Sequence, residues 1–456
     1  MNNELNVAER VAPFISSSAN YRQYGRIQKS VGMTIEATGL KAGIGDICLI
    51  DLPGYDEKAV AEVVGFRDDK LILMTLQDSP GILPGAEIRK GEFALIKRIS
   101  DRIVGRVIDG LGNPIDDAGE ISGNEKLSWN NLSPHPLKRQ RIHQPFYTGV
   151  RSIDSLITIG KGQRVGIFAG SGVGKSVLLG MIARNSYGDV NVIGLIGERG
   201  REVREFIEKD LGKEGLKRSI VVVVTSDKSP LMKLKGAFLC TAIAEYFRAK
   251  GKDVLLMMDS LTRVATAQRE IGLAAGEPPT TRGYTPSCFA LIPNLLERAG
   301  ASERGSITGL YNVLVEGDDL DEPVADTARA SLDGHIVLSR KLANRHHFPA
   351  IDVNASISRV MPDIIPAEHY QMAKRCLKTL AVYNDSEDLI NIGAYNKGSS
   401  KEIDYALDKI DPIRSFLQQG MSESSDPKKT LIHLSEIFSD SESEKDNQAD
   451  TDDTSI

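Results

Sequence analysis

Short apolar runs broken by Gly, Pro and Asp turns fill residues 24–98: TIEATGL, DICLIDL, AVAEVVGF, KLILMTL and EFALIKR. Such runs at regular spacing predict strands of a small all-β barrel. GRVIDGLGNPID (105–116) reads as a turn-rich connector, within a link over 99–150 that Pro134, Pro136 and Pro145 punctuate. From 151 to 360 the pattern changes. QRVGIFA, VNVIGLIG, SIVVVVTS and DVLLMMDS are continuously apolar, as parallel strands buried on both faces are. Amphipathic stretches such as REVREFIEKDL and MKLKGAFLCTAIAEYFRAKG alternate with them, which predicts a parallel sheet flanked by helices.

Beyond 360 the strand signals stop. PAEHYQMAKRCLKTLAVYNDSEDLINIGAY and KEIDYALDKIDPIRSFLQQG predict a helical region over 361–438, with TLIHLSEIF (430–438) as its last helix. Residues 439–456, SDSESEKDNQADTDDTSI, hold no aromatic and almost no apolar residue, and disorder is expected there. At the other end, Leu5, Ala8, Val11, Ala12 and Ile15 recur at helical spacing in an arm over 1–23, and Pro13 cuts that helix short. From periodicity alone the arm docks equally well on its own chain or on a partner.

Composition narrows the function classes. No run of about 20 apolar residues could span a bilayer, and the N-terminus lacks a basic start followed by an apolar stretch, so a cytoplasmic location is expected. Cys48, Cys240, Cys288 and Cys376 are far apart and form no CxxC pair, so neither a zinc site nor a disulfide framework is expected. The net charge of −6 is uneven: ten acidic and three basic residues follow Gly420, leaving the rest at +1. A nearly neutral body offers no broad electrostatic footprint for nucleic acid. His335 and the pair His346–His347 have no Cys or carboxylate at ligand spacing and read as structural or surface residues.

The candidate chemistry starts at IFAGSGVGKSVLL, a strand running into a helix. That is the context a phosphate-binding loop requires, with Ala169 where the strict pattern has Gly. Gly170, Gly172 and Gly174, with Ser171 and Val173 between them, let the backbone turn its N–H groups inward. The helix that follows, with Val177 in its first turn, adds the positive end of its dipole. Lys175 is placed to bridge the β and γ phosphates, and the Ser176 hydroxyl to ligate Mg²⁺. Asp259 ends the apolar strand VLLMMDS, where a carboxylate holds the metal shell. Glu198 ends VNVIGLIGE and faces the same edge of a parallel sheet. It could polarise a water for in-line attack, and Arg199 could fix it or touch phosphate; a surface ion pair within GERGRE accounts for them equally well. No NKxD segment supports guanine specificity, and the kinase signatures HRD and DFG are absent.

The order of motifs over residues 24–420 resembles the rotary ATP synthase family, and within it the flagellar type III export ATPases. The resemblance is carried by GRVIDGLGNPID, TGVRSIDSLITIGKGQRVGIFAGSGVGKSVLLGMIAR, GLIGERGREVREF, MMDSLTRVATAQREIGLAAGEPPTTRGYTPS, VLVEGDDLDEPVADTARASLDGHIVLSRKLA and FPAIDVNASISRVM. It implies a RecA-like P-loop core, an N-terminal small β-barrel and a C-terminal α-helical domain. It also implies that Lys175 and Ser176 bind phosphate and Mg²⁺, that Glu198 orients the attacking water with Arg199 beside it, and that Asp259 is the second metal residue. Phe348 falls where the family places an aromatic beside the adenine, with the stacking face but not the hydroxyl of a tyrosine. Arg359 matches the arginine that reaches into the neighbouring subunit's site. Glu198 and Arg359 in one polypeptide imply a homohexamer of equivalent sites.

The same resemblance implies further partners: a regulator on the N-terminal arm, the export gate and stalk, and export chaperones with their substrates. It implies only peripheral association with the cytoplasmic face of the membrane. The acidic tail departs from the pattern. Virulence secretion ATPases are close relatives and remain an alternative. A ring helicase shares the RecA-like core but would need aromatics in a basic groove, and Tyr55, Phe66 and Phe93 of the barrel region lie in no basic cluster. A non-catalytic nucleotide-binding subunit is opposed by Glu198.

Overall fold

A computed structural model describes residues 23–439 apart from 55–56, 78–80, 92–97, 130, 316, 318 and 320. The acidic tail past Ser439 and the arm up to residue 22 lie outside the described residues, as does the run EFALIKR up to residue 97. The chain forms two compact units.

The first is a closed six-stranded barrel of β1 (Tyr24–Val31), β2 (Thr34–Thr38), β3 (Ile47–Asp51), β4 (Lys58–Arg67), β5 (Lys70–Thr75) and β6 (Glu87–Lys90), in the order β1-β2-β5-β4-β3-β6. Pairing of β1 with β6 closes it, with Gly25 opposite Ile88. A closed barrel leaves no edge strand for other chains to pair with. Alternate residues turn inward, so Ile27, Ile35, Ala37, Ile50, Val63, Leu73 and Ile88 form one core. The polar strands β1 and β6 were not legible as strands: YGRIQKSV and EIRK each bury few side chains.

The second unit is built on a mixed sheet. Its strands are β7 (Val107–Asp109), β8 (Arg164–Ala169), β9 (Val190–Glu198), β10 (Ser219–Thr225), β11 (Asp253–Asp259), β12 (Ser306–Leu314), β13 (Gly334–Leu338) and β14 (Ile351–Ser358). They run in the order β14-β13-β8-β12-β11-β9-β10-β7, with Gly300–Ala301 as a short extra strand on β12. All pairs along this order are parallel except the edge pair β13–β14. Strand β7 lies inside the stretch that reads as a connector. Only its three residues pair, with Val107 opposite Val221, and the surrounding glycines conceal so short a strand.

Helices cover the sheet: α1 (Arg151–Leu156), α2 (Lys175–Asn185) and α3 (Pro230–Ala249) among them. The last begins with Pro230 behind Ser229, whose hydroxyl accepts from Met232 N–H, a start signal written in the sequence. The REVREF helix widens to a π-helical turn over Phe206–Leu211. After Ser358 come α4 (Ala367–Asn391), α5 (Lys401–Leu417) and α6 (Pro427–Ser439), the last longer than its apolar run indicates. Their inner faces, including Cys376, Tyr383, Ile413, Phe416 and Leu434, share one apolar core with Ile153 and Leu156 of α1 and Ile182 of α2. All four cysteines are buried, and His335 packs edge-on against Phe168. Among the described residues no helix is long and apolar enough to cross a membrane.

The ion pair between Arg298 and Glu245 is enclosed on both sides. Arg298 donates from Nε and Nη2 to the two oxygens of Glu245 on α3, at 2.9 and 2.7 Å, and from Nη1 to the Trp129 carbonyl. Removing one partner of a buried pair strands the other charge. Glu245→Ala is therefore expected to cost about 3–5 kcal/mol, read as a lowered denaturant midpoint. Loss within the range of an exposed pair, below about 1 kcal/mol, would show that water compensates Arg298.

Candidate nucleotide site

Parallel register brings the chemistry together. Strands β8, β12, β11 and β9 are consecutive in the sheet, and their C-terminal ends lie along one edge. That edge is where an open α/β sheet binds ligands. Beyond Ala169 at the end of β8, Gly172 and Gly174 take φ of 79° and 89°, a backbone that side chains rarely adopt. Gly170 and Val173 are buried, whereas Ser171 and Gly172 are exposed. Helix α2 starts at Lys175 behind Gly174, and no side chain caps it. Its first N–H groups are thus left for a ligand. Val177 is half-buried and packs against the core, anchoring the first turn.

Lys175 Nζ lies 2.7 Å from Asp259 Oδ1 and 3.5 Å from Glu198 Oε1. Burial pulls the lysine pKa down, but Asp259 and Glu198 outweigh it and raise it. Asp259, 5% exposed at the end of β11, also accepts from Asn312 Nδ2 at 2.6 Å on the same Oδ1. Among the described residues its second oxygen has no such bond, and the half-buried Ser176 hydroxyl beside Lys175 is likewise uncommitted. Two hard oxygens at the mouth of a phosphate loop fit a magnesium ion, which takes few protein ligands and completes its shell with phosphate and water.

Glu198 reaches the cluster through a bulge. The pairing of β9 with β10 slips between Ile196 and Glu198, where Gly197 adopts φ 78°. A Cβ at Gly197 would sit 2.9 Å from Arg263 Cβ, so only glycine fits. Bulges re-aim the following side chain, and Glu198 turns inward to Lys175. Burial pushes its carboxyl up to about 7, the Asp259 charge pushes the same way, and Lys175 opposes both. A carboxyl tuned near neutrality suits a proton acceptor.

The remaining expected residues divide. The Phe348 ring lies over the loop: a Cβ on Gly174 would be 3.4 Å from its Cε1, and the residue is 41% exposed. A flat apolar face is therefore open beside the phosphate loop. Arg199 does not join the cluster. Its side chain is 81% exposed and pairs with Glu202 at 3.3 Å. Arg359 is also exposed, and among the described residues it makes no ion pair. It follows Ser358, which pairs with Gly334 at the start of β13, whereas Leu338 at the end of β13 is level with Ala169. Arg359 thus stands at the edge of the sheet opposite the loop, about 16 Å away along a five-residue strand.

Asn312 is a site residue that motif reading misses. The signal was present: GLYNVLV places one amide in the middle of an otherwise apolar strand, and such a group must find a partner.

Residues 149–358 match the model of the ATP synthase alpha/beta family, nucleotide-binding domain, and residues 365–436 match the T3SS EscN ATPase C-terminal domain. The chain is 55% identical to the flagellum-specific ATP synthase of Bacillus subtilis over 90% of its length and 94% of that protein's. It is 48% identical to the type 3 secretion system ATPase of Xanthomonas euvesicatoria over 92% and 95%. The assembled ATPase EscN of the enteropathogenic E. coli type III secretion system superposes with a TM-score of 0.86 at 44% identity, covering 91% of this chain and 99% of that one. A phosphate loop, a carboxylate pair on its lysine and this degree of likeness agree: the chain belongs to the flagellum-specific ATP synthase family, the flagellar and type III secretion branch of the ATP synthase alpha/beta ATPases.

Proposed function

We propose that this protein hydrolyses Mg-ATP as a homohexameric ring at the cytoplasmic face of a flagellar export apparatus, and that turnover helps release export substrates from chaperones and unfold them. The single observation that carries the ring reading is the separation of the two halves of the site. Lys175, Asp259 and Glu198 lie together at one sheet edge, while Arg359 lies at the other. An arginine side chain spans roughly 7 Å, less than half the distance to its own loop. Its guanidinium is exposed and free to serve a neighbouring chain.

In this reading the N–H groups at the start of α2 and Lys175 take the phosphates, with Lys175 turning from Asp259 and Glu198 toward them. Ser176 and Asp259 would hold Mg²⁺, which supplies charge neutralisation on the phosphate oxygens. Asn312 keeps Asp259 oriented. Glu198 accepts a hydrogen bond from the attacking water and takes up its proton. The Phe348 face takes the adenine. Arg359 of one subunit meets the charge that spreads over the γ-phosphoryl oxygens in the next subunit's site. Arg199 pairs with Glu202 in the isolated chain and would need to leave it to reach phosphate. The related EscN has been seen assembled and in complex with a central stalk, EscO. A ring around a stalk is the arrangement proposed here, with the arm over 1–23 left to a regulatory partner.

Two measurements test this. ATP turnover per chain is expected to climb cooperatively with protein concentration. Arg359→Ala is expected to lower kcat by roughly 10³–10⁵ while nucleotide still binds. Flat specific activity, indifferent to Arg359, would mean self-sufficient pockets.

The second concerns pH. The raised pKa of Glu198 keeps the carboxyl protonated, and unable to accept a proton, below its value of about 7. Activity therefore rises with pH. The acid limb of kcat/KM, which reports the free enzyme, is expected near pH 7. Glu198→Gln is expected to lose roughly 10²–10⁴ in kcat. A limb near the ordinary glutamate value of 4.5 would remove Glu198 from this role.

A further inference from the structure

A second polar system lies beside the nucleotide site without touching the P-loop. Glu387, in α4, is 5% exposed. Its Oε2 lies 2.9 Å from Lys341 Nζ and its Oε1 2.6 Å from Arg345 Nη1. Arg414 of α5 stands at 3.5 Å and also covers the Tyr383 ring. The arginine and lysine hold the Glu387 carboxyl well below the usual range, at about 2, with Arg345 the larger influence.

The two close cations both belong to the segment that carries Phe348. Lys341 lies in the short helix Arg340–Asn344 and Arg345 caps it. His346 and His347 donate their N–H groups back to the Ala343 and Leu342 carbonyls, at 3.0 and 3.1 Å, so residues 340–347 form one compact knot ending at Phe348. The far side is tied as well. Gln419, just past α5, donates its backbone N–H to the Phe348 carbonyl at 3.0 Å. Its side chain accepts from Arg151 N–H at 2.7 Å and donates to the Gly149 carbonyl at 2.9 Å. Gln418 Nε2 lies 3.4 Å from His347 Nδ1.

A carboxylate serving only to staple α4 to α5 would need Arg414 at close range. Here Arg414 is the most distant of the three, and the short bonds go to the knot. Lys341 and Arg345 are substantially exposed. Pairs between two such exposed groups hold little. Fixing one end in a buried carboxylate is what gives these bonds direction.

We infer that Glu387 is a positioning residue for base recognition. Through Lys341 and Arg345 it sets where the Phe348 ring stands over Gly174, so the placement of α4 governs the grip on the adenine. This rests on reading Phe348 as the base-stacking residue. Because coupling between sites is reciprocal, a partner whose binding shifts α4 changes ATP affinity, and ATP changes that partner's affinity by the same factor.

The test uses the full chain: wild type, Glu387→Gln, Phe348→Ala and the double variant, each checked by thermal melting. KM and kcat are measured with ATP, and inorganic tripolyphosphate, which lacks base and ribose, is measured as an inhibitor. Glu387→Gln is expected to raise KM for ATP about five- to tenfold, part of what base–aromatic stacking is worth. It leaves kcat within about twofold and the tripolyphosphate Ki unchanged. The double variant is no worse than Phe348→Ala. If Ki shifts with KM, or the two effects multiply, Glu387 is a fold strut and the inference falls. If Phe348→Ala leaves KM unchanged, the stacking reading itself fails, which is a separable result. Should Glu387→Gln melt early, Lys341→Met and Arg345→Met reach the same contact from the exposed side. An unchanged KM in both folded variants overturns the proposal.

Discussion

The nucleotide end of this molecule depends on one half-buried cation held by two carboxylates from different strands. Burial works against the charge on Lys175, Asp259 and Glu198 favour it, and those two carboxylates would repel each other without it. Each contact presupposes something larger. Asp259 needs β11 beside β12 in register, so that the Asn312 amide reaches it. Glu198 needs the slip at Gly197. Lys175 needs a loop whose glycines bend where no side chain could. The order of the central strands is thus the condition for the charge arrangement, and the continuous apolar runs are what make that order stable.

Much of this was legible in the sequence because local signals and global fold agree. The buried strands announce themselves as unbroken Val, Ile and Leu. The loop announces itself through three glycines ahead of Lys175. What stayed hidden depends on tertiary partners. Strand β7 is three residues long and gains its pairing from β10 and from a bridge between Ile108 and Pro114. Strands β1 and β6 are too polar to stand out and are strands because the barrel closes through them. Glu198 could not be separated from a surface ion pair until the bulge showed its direction, whereas its neighbour Arg199 took the surface pair. Asn312 and Glu387 carry no motif at all. Their roles come from what the fold places around them.

The C-terminal helices are part of the same interior as the nucleotide fold. The apolar faces of α4, α5 and α6 continue the core of α1 and α2, and Gln419 ties the end of α5 to both Gly149 and Phe348. A displacement of these helices therefore reaches the nucleotide pocket through packed side chains and hydrogen bonds rather than through a flexible hinge.

The strand-length gap between Arg359 and the phosphate loop also has a genetic meaning. On the ring reading, a chain that has lost Arg359 still owns an intact pocket, and a chain that has lost Glu198 still owns an intact finger. Two inert populations mixed in one ring would make some working sites, wherever an intact finger faces an intact pocket. A single defective allele would conversely spoil its neighbours in proportion to its abundance. Dominance in such a system is set by the geometry of one antiparallel edge strand.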